Sequence, residues 1–387
     1  MIDFAIYDLE TDKPITLLKQ NIRLTSDVLV NPLTVYANYI FDTVSHDSFT
    51  VHEGKLYELL VNLSTEESNI EGGKPTDMEK ALVEHSVHEA KSNYYNDATL
   101  DAILDTYKKS LKDTSFLIPI GSIRALKLLK KLAHDKLFII STDKGYSSLE
   151  SLENLGHPSI AFHGSFSMMV NFHALAEYFK NSGGDYFLQT PRRGIKTSIF
   201  CSGFQLSNLP NTRFAIDEWI EGFGPSDYFN VHRRVSDTFQ DCDLEALSSH
   251  MLLTRWDPHI FLRINSKLSA LLAEADVDAI TFLAHNMPKI AENYYYMPQS
   301  ECVLFEIAVF FHGVRRYDEA LKYYLEALPF VGEKFGLIYN IGLCKHLLKD
   351  NQSALEHFKR ALELDPESNE TKEWIAFVEN EIASSTS

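Results

Sequence analysis

Cysteine is scarce in this chain, and basic charge is scarcer than acidic. Its 387 residues include four cysteines, Cys201, Cys242, Cys302 and Cys344, far apart and without a CxxC pair. That spacing excludes a disulfide framework or a zinc finger and suits buried, reduced thiols. Lys and Arg number 36 against 54 Asp and Glu, a formal net charge of −18 that repels phosphate backbones and anionic headgroups. Nucleic acid and membrane are therefore not expected as partners. Long apolar runs are missing too: the most apolar stretch, 303–311, is broken by Glu306 and falls far short of the ~20 residues that cross a bilayer. No basic stretch followed by an apolar run opens the sequence, which predicts a cytoplasmic protein. There is no G-x-S-x-G elbow, Cys–His pairing or phosphate loop, so hydrolase and kinase chemistry have no motif to act through. His163 and His173 lack acidic or thiolate companions at ligand spacing, which predicts structural histidines and no metal site.

What is present is a globular composition, 45% hydrophobic and 23% charged, over a length that suggests two domains. Ile2-Asp3-Phe4-Ala5-Ile6-Tyr7-Asp8 and the β-branched, aromatic run 33–40 read as strands, and Glu53-Gly54 marks a hairpin within 50–63. Residues 64–80, acidic and holding Gly72-Gly73-Lys74-Pro75, read as a solvated loop or the approach to a helix. Leu100, Ile103, Leu104, Tyr107 and Leu111 recur at helical spacing, with Asp101 and Asp105 near the start and Lys108, Lys109 and Lys112 near the end, as the helix dipole favours. A helix behind Ser122 over 123–133 leads into a buried strand at 136–142, and 186–204 reads as an antiparallel hairpin broken at Pro191-Arg192-Arg193-Gly194. This alternation predicts a largely parallel α/β sheet. Beyond Leu244 only amphipathic helices remain, which places a boundary between Leu244 and Ser266 and divides the chain into 1–255, a helical connector or degenerate repeat at 256–297, and 298–387.

The last segment repeats. Ala320, Tyr324 and Ala327 recur as Ala354, Phe358 and Ala361 at a period of 34, the pattern of the tetratricopeptide repeat, in which small residues stand where two helices cross. The units are 301–334 and 335–368, with Ala308 and Gly342 at the small position of each first helix and Pro366 closing the second helix of the second unit. A capping helix over 370–382 repeats Trp374, Val378 and Ile382. Two units are fewer than the roughly three needed for stability, so the array is expected to lean on the α/β domain. Its groove positions are Phe305, Val309, His312, Tyr339, Leu343 and His346, an apolar set without the Lys or Arg that would clamp a terminal carboxylate. Either these side chains bind a protein or peptide partner or they cover the neighbouring domain.

Three segments of the α/β region, in order, carry a further resemblance. Asn38-Tyr39-Ile40-Phe41-Asp42 with Glu53-Gly54 and Glu58, then Ile140-Ser141-Thr142-Asp143-Lys144-Gly145-Tyr146, then residues 164–175 resemble the MidA-like methyltransferases, the family of a mitochondrial complex I assembly factor that methylates arginine. The resemblance implies a class I, Rossmann-like methyltransferase fold binding S-adenosylmethionine at the carboxyl ends of its strands. It implies that Asp8, closing the third strand of that fold, faces the adenine, and that Asn38 and Asp42 line the methyl-transfer pocket. Tyr39 stands where the family has glutamate and cannot make a carboxylate's bidentate bond to guanidinium. No acid followed by a G-x-G run precedes these segments, so the first two strands of the fold and its cofactor loop are expected to be absent. The chain is then either an incomplete version of a longer methyltransferase or a remnant that has lost cofactor binding. The expected function is a methyltransferase-family protein with a tetratricopeptide module that recruits its partner, weak or inactive toward S-adenosylmethionine; the alternative is a non-catalytic scaffold.

Overall fold

In the computed structural model the described residues are all except 1, 12, 65–69, 72–73, 76–80, 163–164 and 386–387, so most of the 64–80 loop, His163 and Gly164 lie outside them. The chain divides into two compact units, residues 1–229 and 230–387, a division upstream of the place where sequence periodicity changes.

The first unit is built on two sheets. Strand β1 (Leu33–Asn38) is followed by a hairpin of β2 (Asp47–His52) and β3 (Lys55–Ser64), then by β4 (Leu82–Glu89). The hairpin turns where expected, with Glu53 and Gly54 at φ of 47° and 73°, the left-handed pair that a two-residue turn matching strand twist requires. Helix α1 (Ala98–Ser110) is capped by Asp97, whose side chain accepts from the amides of Thr99 and Leu100, and it buries Leu100, Ile103, Leu104 and Tyr107 as their spacing predicts. Next come β5 (Thr114–Ile118), helix α2 (Ile120–Leu132), β6 (Leu137–Tyr146), helix α3 (Phe172–Asn181), β7 (Asp185–Leu188) and β8 (Ile195–Ser202).

The first sheet runs β1–β6–β8–β7, with β1 parallel to β6 and β8 antiparallel to both its neighbours. The second runs β4–β3–β2–β5, antiparallel throughout. The expectation of a largely parallel sheet is thus corrected. β5, buried along its whole length, lies beside the hairpin instead of joining β6, so only one long parallel pair remains. Residues 2–8 form no strand: Ile2, Phe4 and Ile6 are 74%, 58% and 85% exposed, so alternation there reflects no buried face. Ser122 starts no helix; α2 begins two residues earlier, after Pro119, and Ser122 is buried within it. The core between the sheets and helices gathers Phe49, Tyr107, Phe116, Phe172, Phe179 and Phe200.

After β8 the chain is helical: α4 (Pro210–Ile216), α5 (Pro225–Thr238), α6 (Leu244–Leu253), α7 (Pro258–Leu271) and α8 (Val277–Glu292) precede two hairpins, α9 (Val303–Gly313) with α10 (Tyr317–Val331) and α11 (Phe335–Leu347) with α12 (Asn351–Leu364). Helix α13 (Asn369–Ser385) closes the series. The small residues do what the repeat demands. Ala308, Ala320, Ala327, Ala354 and Ala361 have no exposed surface, and a Cβ on Gly342 would lie 3.0 Å from the Phe358 ring. One apolar cluster runs from Leu247 on α6 through Phe261, Leu283, Phe310 and Phe358 to Val378 on α13. The array therefore finds its support inside its own unit, in α6–α8, where the sequence reading looked to the α/β domain.

His46, between β1 and β2, gives a stability signature. Its Nε2 donates to the Phe41 carbonyl at 2.9 Å, and burial lowers its pKa from 6.5 to about 4. The folded chain thus keeps this imidazole neutral while the unfolded chain protonates it below pH 6.5, so stability from His46 is present above pH 6.5 and is lost as pH falls toward about 4. The loss amounts to about 3 kcal/mol across that window. Urea unfolding of wild type and His46→Asn on both sides of it should show their stability difference shrinking by that order as the pH falls, other titrating groups cancelling in the comparison. A pH-independent difference contradicts a neutral, buried His46.

Candidate functional site

The carboxyl ends of β1 and β6 come together with Thr142 opposite Asn38. Asn38 is exposed. Tyr39 leaves the ladder at φ of 53°, an uncommon left-handed conformation for a side-chain-bearing residue, while its amide donates to the Thr142 carbonyl at 3.0 Å. The chain then turns inward. Asp42 is 7% exposed and Asp143 wholly buried, and the Asp42 amide donates to Asp143 Oδ2 at 3.2 Å while the Lys144 amide donates to Oδ1 at 2.9 Å. Burial, and next the neighbouring Asp42 charge, pushes the Asp143 carboxyl up to about 7 in spite of those amides. Burial and the same two carboxyls raise the Tyr39 phenol as well. Lys196 stands across the ladder from Asp143, and burial followed by Arg192 pulls its pKa down.

Two buried acids thus meet where β1 ends beside β6, Asp42 in the turn that follows β1 and Asp143 within β6. An acid poised near neutrality can hold or release a proton there. Asn38 closes β1 and is open to solvent, and Asp42 lies buried in the turn that follows. Asp8 closes no strand: it is exposed in a turn near the amino terminus, its Oδ1 accepting from the Glu10 amide at 3.1 Å. Asp143 carries no role in the sequence reading, although an acid near the end of a strand with alternating burial is the signal that finds it. Among the described residues no group of three or more His, Cys, Asp or Glu is placed to hold a metal ion. His173 is structural in its contacts, its Nδ1 lying 2.8 Å from the Tyr107 hydroxyl.

The groove positions of the helical array fall into two sets. Tyr339 and His346 on α11 are buried, 9% and 7% exposed. The Tyr339 hydroxyl donates to Glu370 at 2.5 Å, and the His346 ring lies 5.2 Å from Trp374, both on α13. His346 also meets Asn351 at 2.8 Å through Nδ1. These two side chains are held by the closing helix, with Leu343 half-buried beside them. On α9, Phe305, Val309 and His312 are all half-buried; the Phe305 ring stands 5.5 Å from Tyr324, His312 lies 5.5 Å from Tyr317, and burial lowers the His312 pKa. Phe305 also lines a cleft of about 580 Å³ with Glu301, Glu306, Phe330, Lys334 and Leu337. Glu306 accepts from Asn265 at 2.6 Å, and burial, then Glu301, raises its pKa.

Residues 337–368 match the tetratricopeptide repeat family. No curated protein matches the chain. Among solved structures, the second tetratricopeptide domain of human RPAP3, in complex with an HSP70 peptide, is 14% identical over 32% of this chain and 98% of its own, with a TM-score of 0.26. YrrB, described as a tetratricopeptide protein with an unusual peptide-binding site, is 12% identical over 39% of this chain and 74% of its own, with a TM-score of 0.30. MamA is 18% identical over 40% of this chain and 81% of its own, with a TM-score of 0.28. At such low similarity the assignment rests on the family match and the helix geometry: residues 337–368 are a tetratricopeptide repeat within a carboxy-terminal helical array.

Proposed function

We propose that this chain acts as a protein-binding adaptor whose working surface is the first-unit end of its helical array. The observation that carries this reading is the cleft beside Phe305, because the matching surface of the second unit is filled by α13. Apolar walls from Phe305, Phe330 and Leu337 suit a buried aliphatic or aromatic anchor, and Glu301 and Glu306 favour a neighbouring Arg or Lys. Residues 298–387 hold nine Lys and Arg against fifteen Asp and Glu, a net of −6, which favours the same kind of partner. Among the described residues that line the cleft, Lys334 is the one cation against Glu301 and Glu306, so the acidic side of the balance prevails.

A second reading concerns the α/β unit. The resemblance of residues 38–42, 140–146 and 164–175 is the sole basis for deriving it from the MidA-like methyltransferase class. With no glycine loop in the sequence and no strand over residues 2–8, the cradle for S-adenosylmethionine is missing, and this unit serves as a scaffold.

Fluorescence polarisation on the full chain, with a labelled peptide carrying Leu beside Arg and a control carrying Leu beside Glu, tests the adaptor reading. The Arg peptide should bind more tightly, Phe305→Ala should weaken it by about tenfold, as loss of a central anchor does, and Glu301→Lys should reverse the preference. Equal binding of both peptides, unchanged by either substitution, contradicts it. For the α/β unit, calorimetry should detect no micromolar binding of S-adenosylmethionine; such binding, lost in Asp42→Ala, would show a working cofactor site.

A further inference from the structure

A cavity of about 320 Å³ in the α/β unit is lined, among the described residues, by acidic, imidazole and hydroxyl side chains and by apolar ones. His46, Asp47, Ser48 and Glu58 line one side, and Leu59, Leu117, Ile160 and Met168 belong to the apolar remainder. Among the described residues that line it, none is Lys or Arg.

Each polar group has unmet capacity. A carbonyl oxygen can only accept, so the bond from His46 to Phe41 places the ring proton on Nε2 and leaves Nδ1 as a bare acceptor. That Nδ1 is buried with no partner, and so is the hydroxyl of Ser48. Asp47 Oδ2 accepts from the Tyr95 hydroxyl at 2.8 Å, and Glu58 Oε1 accepts from the Tyr94 hydroxyl. One oxygen of each carboxylate is thereby taken, and the other has no hydrogen-bond partner among the described residues. Burial raises the Asp47 carboxyl above its ordinary range; Tyr95 and then Arg124 pull it back, while Glu58 adds to the rise. Buried acceptors without donors are costly, and His46 Nδ1 and Ser48 Oγ bias the cavity toward a ligand that donates.

We propose that this cavity binds a primary alkylammonium group. Such a group offers three donors, no acceptor and a positive charge, which complements His46 Nδ1, Ser48 Oγ and the open carboxylate oxygens. Its aliphatic chain lies along Leu59, Ile160 and Met168. The site is separate from the helical array and does not depend on the adaptor reading.

Calorimetry on the full chain with n-butylammonium, n-butanol and butanoate tests the assignment. Butylammonium should bind, with the alcohol and the acid weaker by about tenfold or more, because they lose the charge-assisted bonds. Glu58→Gln and Ser48→Ala should each weaken the amine severalfold and leave the alcohol unchanged. Should a variant fail to fold, the comparison of the three ligands on wild type decides. Equal binding of the three, no binding of the amine, or folded variants that bind it as wild type does, each overturns the proposal.

Discussion

A helical hairpin with an apolar stripe on two sides cannot bury both by itself, and that constraint organises residues 230–387. Each hairpin here covers one face by close crossing, for which Ala320, Ala354 and Gly342 leave room. The remaining faces are covered by α6–α8 at one end and α13 at the other, giving one continuous cluster. Phe261, Phe310, Phe311 and Phe358, each no more than 2% exposed, contribute roughly 1.5–3 kcal/mol apiece by leaving water. The same closure sets what is left for binding. Because α13 takes Tyr339 and His346, what is left open for binding is the cleft that Phe305 of α9 lines.

The α/β unit meets a different constraint, the placing of polar groups inside an apolar core. Its second sheet, laid against α1 and α2, carries Asp47 and Glu58, and each is held by a tyrosine hydroxyl. At the ends of β1 and β6, Asp42 and Asp143 share a site in which one carboxyl is driven toward neutrality. These groups oppose one another in their response to pH. Acid charges buried imidazoles such as His46 at a cost to folding, whereas Asp143 gains its proton in the folded state first.

Much of this was legible from residue patterns, and the failures have physical causes. The tetratricopeptide unit announced itself because its small-residue positions recur at a period of 34 and only Ala or Gly fits a close helix crossing. The Glu53-Gly54 turn and α1 were equally plain, since left-handed turns and dipole-matched helices leave local marks. Partnering was not legible. β4 pairs with β3 yet leaves Leu82, Val83 and Val87 exposed, and residues 2–8, apolar at Ile2, Phe4 and Ile6, form no strand. β5 is buried all along and could equally have extended a parallel sheet; its antiparallel place beside β2 depends on which neighbour covers it. The acid pair escaped for a similar reason. Nothing local to Asp143 says that Asp42, 101 residues earlier, lies beside it.

The account turns on residues 230–387 being one cooperative body, in which the helices before the repeats support them. Native-state hydrogen exchange of the full chain tests this directly. The slowest amides of α7 and α8 should open with the same free energy as those of α9–α12, and Phe261→Ala on α7 should lower both by a common amount. Protection of α9–α12 that stays unchanged while α7 and α8 open separately would contradict it.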